Sequence, residues 1–195
     1  QTAKGKTDQD GKLTVPEIEE RERHGAYILG YTDGTFGPSR NMTRAEAAAI
    51  FARLLAEKNG DTISTAANTR FTDIPVHAWY SGYAKYLNNN GVTYGKSKTI
   101  FAPNDAITRA EFTTMAVRFF DVYGDGDAEI MEQYKDFNDV SDGYWAAAYI
   151  KAAAKHGWIN GYGDGTFRGQ QEITRYEMAQ MVAKAMAKTD VSAAD

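Results

Sequence analysis

The chain has 195 residues, 43% hydrophobic and 25% charged, a composition that excludes disordered, collagen-like and membrane-spanning classes and allows one or two domains with a proper core. It has no cysteine, which excludes disulfides, thiolate metal sites and cysteine nucleophiles but leaves the compartment open. Its 22 basic and 26 acidic residues give a net charge of −4, too weak to steer it toward nucleic acid. The polar start at 1–6 and the Ala- and Asp-rich end at 191–195 suggest a segment of something longer.

Near the amino terminus, Asp8, Asp10, Gly11 and Glu17 fit the inner part of a calcium-binding loop. Lys6 stands where the first ligand aspartate belongs, so this stretch reads as a solvated turn. A weak or altered helix is expected at about 15–23, then a tight turn at Asp33-Gly34 with glycine at the φ > 0 position. Thr43-Arg44-Ala45-Glu46 is a capping box: the threonine hydroxyl accepts from the amide three residues on, and the glutamate reaches back to the threonine amide. The helix it opens should stop at Gly60. A second helix is predicted at 79–90 before Gly91, a third from Thr108 to a stop at Gly124, a fourth at 145–156 before Gly157, and a fifth from Thr174. Residues 59–70 and 121–136 read as connections, the latter containing the acidic Asp125-Gly126-Asp127.

These elements repeat. The capping boxes at Thr43, Thr108 and Thr174 lie 65 and 66 residues apart, and each follows a phenylalanine (Phe36, Phe101, Phe167) by seven positions. Four, seven, eight, eleven and twelve residues after each threonine stand Ala47, Ile50, Phe51, Leu54 and Leu55; Phe112, Met115, Ala116, Phe119 and Phe120; Met178, Met181, Val182, Ala185 and Met186. This is one apolar helical stripe written three times. Phe71-Thr72-Asp73 precedes Trp79 as Phe137-Asn138-Asp139 precedes Trp145, whereas the first copy has Lys6 and Thr14 at the Phe and Trp positions. A unit this small cannot bury its stripe alone. We therefore expect one mainly α domain over 1–195, with three helix-loop-helix repeats at 1–60 (degenerate in its first half), 61–124 and 125–189 and a tail at 190–195.

Phe137-Asn138-Asp139-Val140, Trp145-Ala146, Gly161-Tyr162-Gly163-Asp164-Gly165-Thr166-Phe167 and Ile173-Thr174-Arg175-Tyr176-Glu177, in that order, resemble the surface-layer homology (SLH) motif of bacterial cell-surface proteins. The resemblance covers about 27–187 and recurs three times. It implies a pseudo-threefold, three-pronged domain around a central helix bundle, outside the cell at the wall or surface layer. It further implies a non-catalytic anchor, normally fused to another surface domain, that binds a peptidoglycan-linked secondary cell-wall polymer carrying pyruvylated amino sugar in grooves between repeats.

On that reading Arg44, Arg109 and Arg175 occupy the ligand-contacting arginine position, where a guanidinium fork and free amides at a helix start would suit a fixed carboxylate. Gly30, Gly95 and Gly161 match the turn glycine, which serves the turn first and close approach of a sugar second. Trp79 and Trp145 would be core residues by pattern, or platforms for a sugar ring. The middle copy has Lys98-Thr99 in place of Asp-Gly, so the groove using that loop is expected to be altered or silent. The third has Tyr176 and Gly169 in place of Ala and Pro, with Tyr176 closing or extending the groove beside Arg175. Any groove pairing Arg175 with the degenerate first half-repeat is suspect, and the groove around Arg44 is the one expected to be intact.

No metal site, cofactor, nucleic acid or membrane insertion is expected. His24, His77 and His156 are scattered, and Glu46, Glu111 and Glu177 read as capping residues. Two other readings stand beside the anchor. One is a protein-protein or surface-lattice assembly module with the same fold, which twelve tyrosines would suit. The other is a wall-glycan hydrolase using Asp33, Asp164 and the repeat glutamates.

Overall fold

The computed structural model describes residues 6–7, 13–14, 28–31, 33–123 and 136–189. Two short antiparallel strands, β1 (Lys6–Thr7) and β2 (Leu13–Thr14), precede five helices: α1 (Arg44–Asn59), α2 (Ser81–Asn89), α3 (Arg109–Tyr123), α4 (Ala147–Lys155) and α5 (Arg175–Thr189). The expected helix near 15–23, the ligand positions of the calcium-loop match at 8–17, Gly124, the acidic connection, His24 and the tail lie outside the described residues.

All three capping boxes form. The Thr43, Thr108 and Thr174 amides donate to Glu46, Glu111 and Glu177 at 2.8, 3.0 and 3.0 Å, and each glutamate amide donates back to its threonine hydroxyl at 3.2 Å. Gly60 ends α1 in the left-handed region at φ 69°, its amide returning to Ala56 and Glu57. The two shorter helices start later than predicted, at Ser81 and Ala147. Trp79 and Trp145 instead fall within successive i→i−3 turns, Ala78 to Pro75 and Ser81 to Ala78 in one copy, Tyr144 to Ser141 and Ala147 to Tyr144 in the other. No side chain caps either helix, which leaves the α-helical pattern to begin only after those turns close.

The fifteen stripe residues of α1, α3 and α5 are all buried. Phe51 sits at the centre, its ring 5.2 Å from Phe112 and 5.0 Å from Phe119, and Thr113 on α3 reaches Met181 on α5. Helix α2 packs on α1 and α4 on α3, so each described second helix lies against a central one.

The repeats are joined in a ring at the helix starts. The Arg44 and Ala45 amides donate to Asp105 and Pro103 of the second repeat, and Arg109 and Ala110 to Gln171 and Gly169 of the third. Arg175 and Tyr176 close the ring on Arg40 and Pro38 of the first. The architecture is mainly α and pseudo-threefold. Gly169 stands where the other copies have proline and supplies the same backbone carbonyl. Isolated β-bridges follow the same path, Thr43 with Ala106, Thr108 with Glu172 and Asn41 with Thr174.

Candidate functional site: grooves between repeats

The ring corrects one expectation. The first-turn amides of α1, α3 and α5 are not free for an anion, because the neighbouring repeat's loop takes the first two and the capping threonine takes the third. Of the donors expected at these helix starts, only the arginine side chains remain outside the backbone network. Each crosses into the next repeat: Arg44 Nε donates to the Phe101 carbonyl at 2.7 Å, Arg109 Nε to Phe167 at 2.9 Å and Arg175 Nε to Phe36 at 2.8 Å. All three residues are about 95% buried, and each guanidinium lies over the ring of the phenylalanine whose carbonyl it holds.

Beyond this shared pose the three crossings differ. Arg109 is covered: its Nη1 meets Glu177 Oε1 at 2.8 Å, the Tyr162 hydroxyl donates to the same oxygen at 2.8 Å, and the Tyr162 ring lies 4.9 Å from the guanidinium, while its Nη2, like that of Arg44, has no bond among the described residues. Arg44 Nη1 meets Glu111 at 3.2 Å, and its Nη2 has no bond among the described residues. Burial pushes the Arg44 guanidinium below its ordinary range, while Glu111, Asp105 and Asp73 pull it back up. Arg175 bonds only carbonyls, Phe36 and, through Nη2, Leu29 at 2.7 Å, and among the described residues it has no carboxylate partner.

Grooves open beside the last two. The Arg44 groove encloses about 540 Å³ and takes one wall from each repeat: Arg44 from the first, Gly95, Lys96 and the outer face of α3 from the second, Trp145 from the third. The Arg175 groove is its counterpart one step round the ring, with Gly30, Tyr31, Arg53 and Trp79, and encloses about 180 Å³. One position beside the arginine contrasts between the two. Tyr31 lays its ring 4.8 Å from Arg175, whereas Lys96 turns away to pair with Asp105 at 2.8 Å. The changes at Lys98-Thr99 thus leave the Arg44 groove open, and Tyr176 lines neither groove, its hydroxyl bonded to Gln180.

The glycines and tryptophans separate by role. Gly95 (φ 78°) and Gly161 (φ 65°) occupy the left-handed region, and a Cβ would press on Phe71 at 2.5 Å and on Phe137 at 2.3 Å, so both are required by the turn. Gly30 and Gly95 line grooves as well. Trp79 and Trp145 are each 55% exposed, which removes the core reading and leaves their faces open. Arg53 and Arg118 went unrecognised in the sequence, although each stands ten residues after its capping threonine, with Lys184 there in the third copy. Each arginine contacts a tyrosine of its neighbouring shorter helix directly, Arg53 donating to the Tyr83 hydroxyl at 3.4 Å and Arg118 to the Tyr149 hydroxyl at 2.9 Å.

Fold and grooves define a module built from tandem repeats. The S-layer homology domain pattern matches residues 8–48, 70–113 and 136–179, more than half of the sequence, and the chain belongs to that family. It is 31% identical over 191 residues to the cellulosome-anchoring protein of Acetivibrio thermocellus, covering 97% of this chain and 42% of that protein. It is 35% identical over 179 residues to cell surface glycoprotein 1 of the same organism, covering 88% and 8%. It is 31% identical over 169 residues to the surface-layer 125 kDa protein of Lysinibacillus sphaericus, covering 85% and 13%. The chain thus spans less than half the length of these relatives. Family and relatives indicate a location at the cell surface or surface layer.

Proposed function

We propose that the chain is a non-catalytic anchoring module that holds a surface protein to the cell wall by binding a peptidoglycan-linked secondary cell-wall polymer, a pyruvylated amino-sugar glycan, through the Arg44 and Arg175 grooves. On this reading residues 1–195 act as one monomeric pseudo-trimeric domain, with repeats at 1–60, 61–124 and 125–189, normally fused to another surface domain. The observation that carries it is Arg175: a cation about 95% buried with carbonyl partners but no carboxylate among the described residues, in a groove walled by an exposed tryptophan. A buried guanidinium gains most from an anion that brings its own charge, and a ketal pyruvate presents a fixed carboxylate on a sugar ring suited to an aromatic face. Names of the relatives, an anchoring protein and a surface-layer protein, agree with that role.

The hydrolase alternative needs a carboxyl group with a raised pKa. Glu177 is displaced the other way: burial raises it, but hydrogen bonds from the Thr174 amide, Tyr162 and the Thr174 hydroxyl, with the Arg109 charge, more than offset this and hold it below its ordinary value. The assembly alternative would use apolar side chains exposed outside the grooves, such as Tyr176 and Ile100. Co-sedimentation with purified cell walls separates these readings. Binding should fall at least tenfold when the polymer is stripped or its pyruvate ketal removed by mild acid, and Tyr176→Ser should leave it unchanged. Equal binding to stripped walls would refute the proposal.

A further inference from the structure

Asn59, Asn90 and Asn160 each precede a glycine. Such a pair is chemically labile, because glycine has no side chain to shield its backbone nitrogen from the side-chain amide before it. Two of the pairs are held shut. Asn59 ends α1, its Nδ2 donating to the Tyr86 hydroxyl at 3.2 Å and the Gly60 amide donating to Glu57 at 3.3 Å. Asn90 follows α2, its Nδ2 donating to the Tyr86 carbonyl at 2.9 Å and the Gly91 amide donating to Asn88 at 3.2 Å. Asn160 is exposed and lies outside any helix, and neither its side chain nor the Gly161 amide has a hydrogen bond among the described residues. The contrast begins one residue earlier. In the second repeat the Thr93 hydroxyl accepts from the Gly95 amide at 3.3 Å, and the third repeat has Ile159 at that position.

We propose that Asn160-Gly161 is a self-modifying site, at which the chain converts asparagine into isoaspartate and aspartate. The Gly161 nitrogen, its proton taken by hydroxide, attacks the Asn160 side-chain carbonyl carbon. That N–C bond forms, the bond from the same carbon to the side-chain nitrogen breaks, and ammonia leaves with a proton from water. Water then opens the cyclic imide at either carbonyl, routing the main chain through the side-chain carbon (isoaspartate) or restoring the original backbone (aspartate). Nothing is oxidised or reduced, and the site gains a negative charge. Isoaspartate lengthens the main chain by a methylene directly before Gly161, whose turn at φ 65° sets Tyr162 against Arg109 and Glu177. Modification therefore loosens the crossing between the second and third repeats.

The full chain, kept folded in mildly alkaline buffer, is followed by peptide mapping with mass spectrometry and isoaspartyl methyltransferase labelling. An amide already bonded must first give up that bond, so Asn160 should convert at least about fivefold faster than Asn59 and Asn90, and in urea the three rates should converge. Ile159→Thr, which returns a hydroxyl to the Gly161 amide, should slow conversion about threefold relative to Ile159→Val. The aged parent should melt lower than fresh protein, and aged Asn160→Gln should not. An Asn160 that converts no faster than the other two in the folded chain overturns the site. Equal rates in Ile159→Thr and Ile159→Val overturn the part given to the missing hydroxyl, and an unchanged melting temperature in converted protein overturns the loosened crossing.

Discussion

Arg109 and Arg44 hold equivalent positions in successive repeats, but a single neighbour separates their roles. Tyr162 bonds Glu177 and covers Arg109, whereas Lys96 in the preceding copy leaves Arg44 uncovered on one side. The sequence shows the three arginines as equals because the deciding partners lie far along the chain, Glu177 68 residues from Arg109 and Leu29 146 from Arg175. The glutamates were legible as caps, yet the second oxygen of Glu111 and of Glu177, which ties down the preceding repeat's arginine, was not. Glu177 yields a pH prediction with a definite sign. Its folded pKa lies below the ordinary 4.5, so its contribution is complete above about pH 5 and is lost as pH falls through the folded value. Urea unfolding at pH 7, 5, 4 and 3 should show Glu177→Gln clearly less stable than the parent at pH 7, with the gap narrowing below about pH 4.5. A gap independent of pH would mean that the carboxylate charge is not what stabilises this crossing.

At the level of elements, the long helices were legible almost to the residue: repeated capping boxes fix their starts, and the apolar offsets fix the buried face. The shorter helices were misplaced by two residues because a tryptophan followed by an apolar stripe reads as helix even when it sits in a preceding turn. The aspartate of each Phe-x-Asp segment had no assigned role. In the structure Asp73 accepts from the Phe101 and Ala102 amides at 2.9 and 2.6 Å, and Asp139 from Phe167 and Arg168 at 2.7 Å each. These clips hold Ala102 and Arg168 at φ 57°, a left-handed conformation that side chains resist, and they carry the carbonyls to which Arg44 and Arg109 bind. Asp73→Ala should therefore cost about 2 kcal/mol in urea unfolding, from two charge-assisted bonds, and weaken ligand binding in the Arg44 groove by releasing its loop. Wild-type stability would show that the loop needs no clip.

Across the whole molecule, the pseudo-threefold ring turns one repeated motif into three unequal crossings. Repeat one lends Arg44 to the second, the second lends Arg109 to the third, and the third returns Arg175 to the first, so every groove wall depends on a neighbouring repeat. The repeat count and the bundle were legible from the stripe. Closure of the ring was not, since it runs through loop carbonyls, which carry no sequence signature.

The central claim is that this asymmetry sets which grooves bind. Calorimetric titration of the pyruvylated disaccharide into the intact chain and into Arg44→Ala, Arg109→Ala and Arg175→Ala, with folding checked by circular dichroism, tests it most directly. The account predicts two sites in the intact protein, one lost in each of Arg44→Ala and Arg175→Ala. Arg109→Ala should retain both while melting lower, because it strands Glu177 beside Tyr162. Loss of a site in a folded Arg109→Ala protein, or undiminished binding in both other variants, would contradict it.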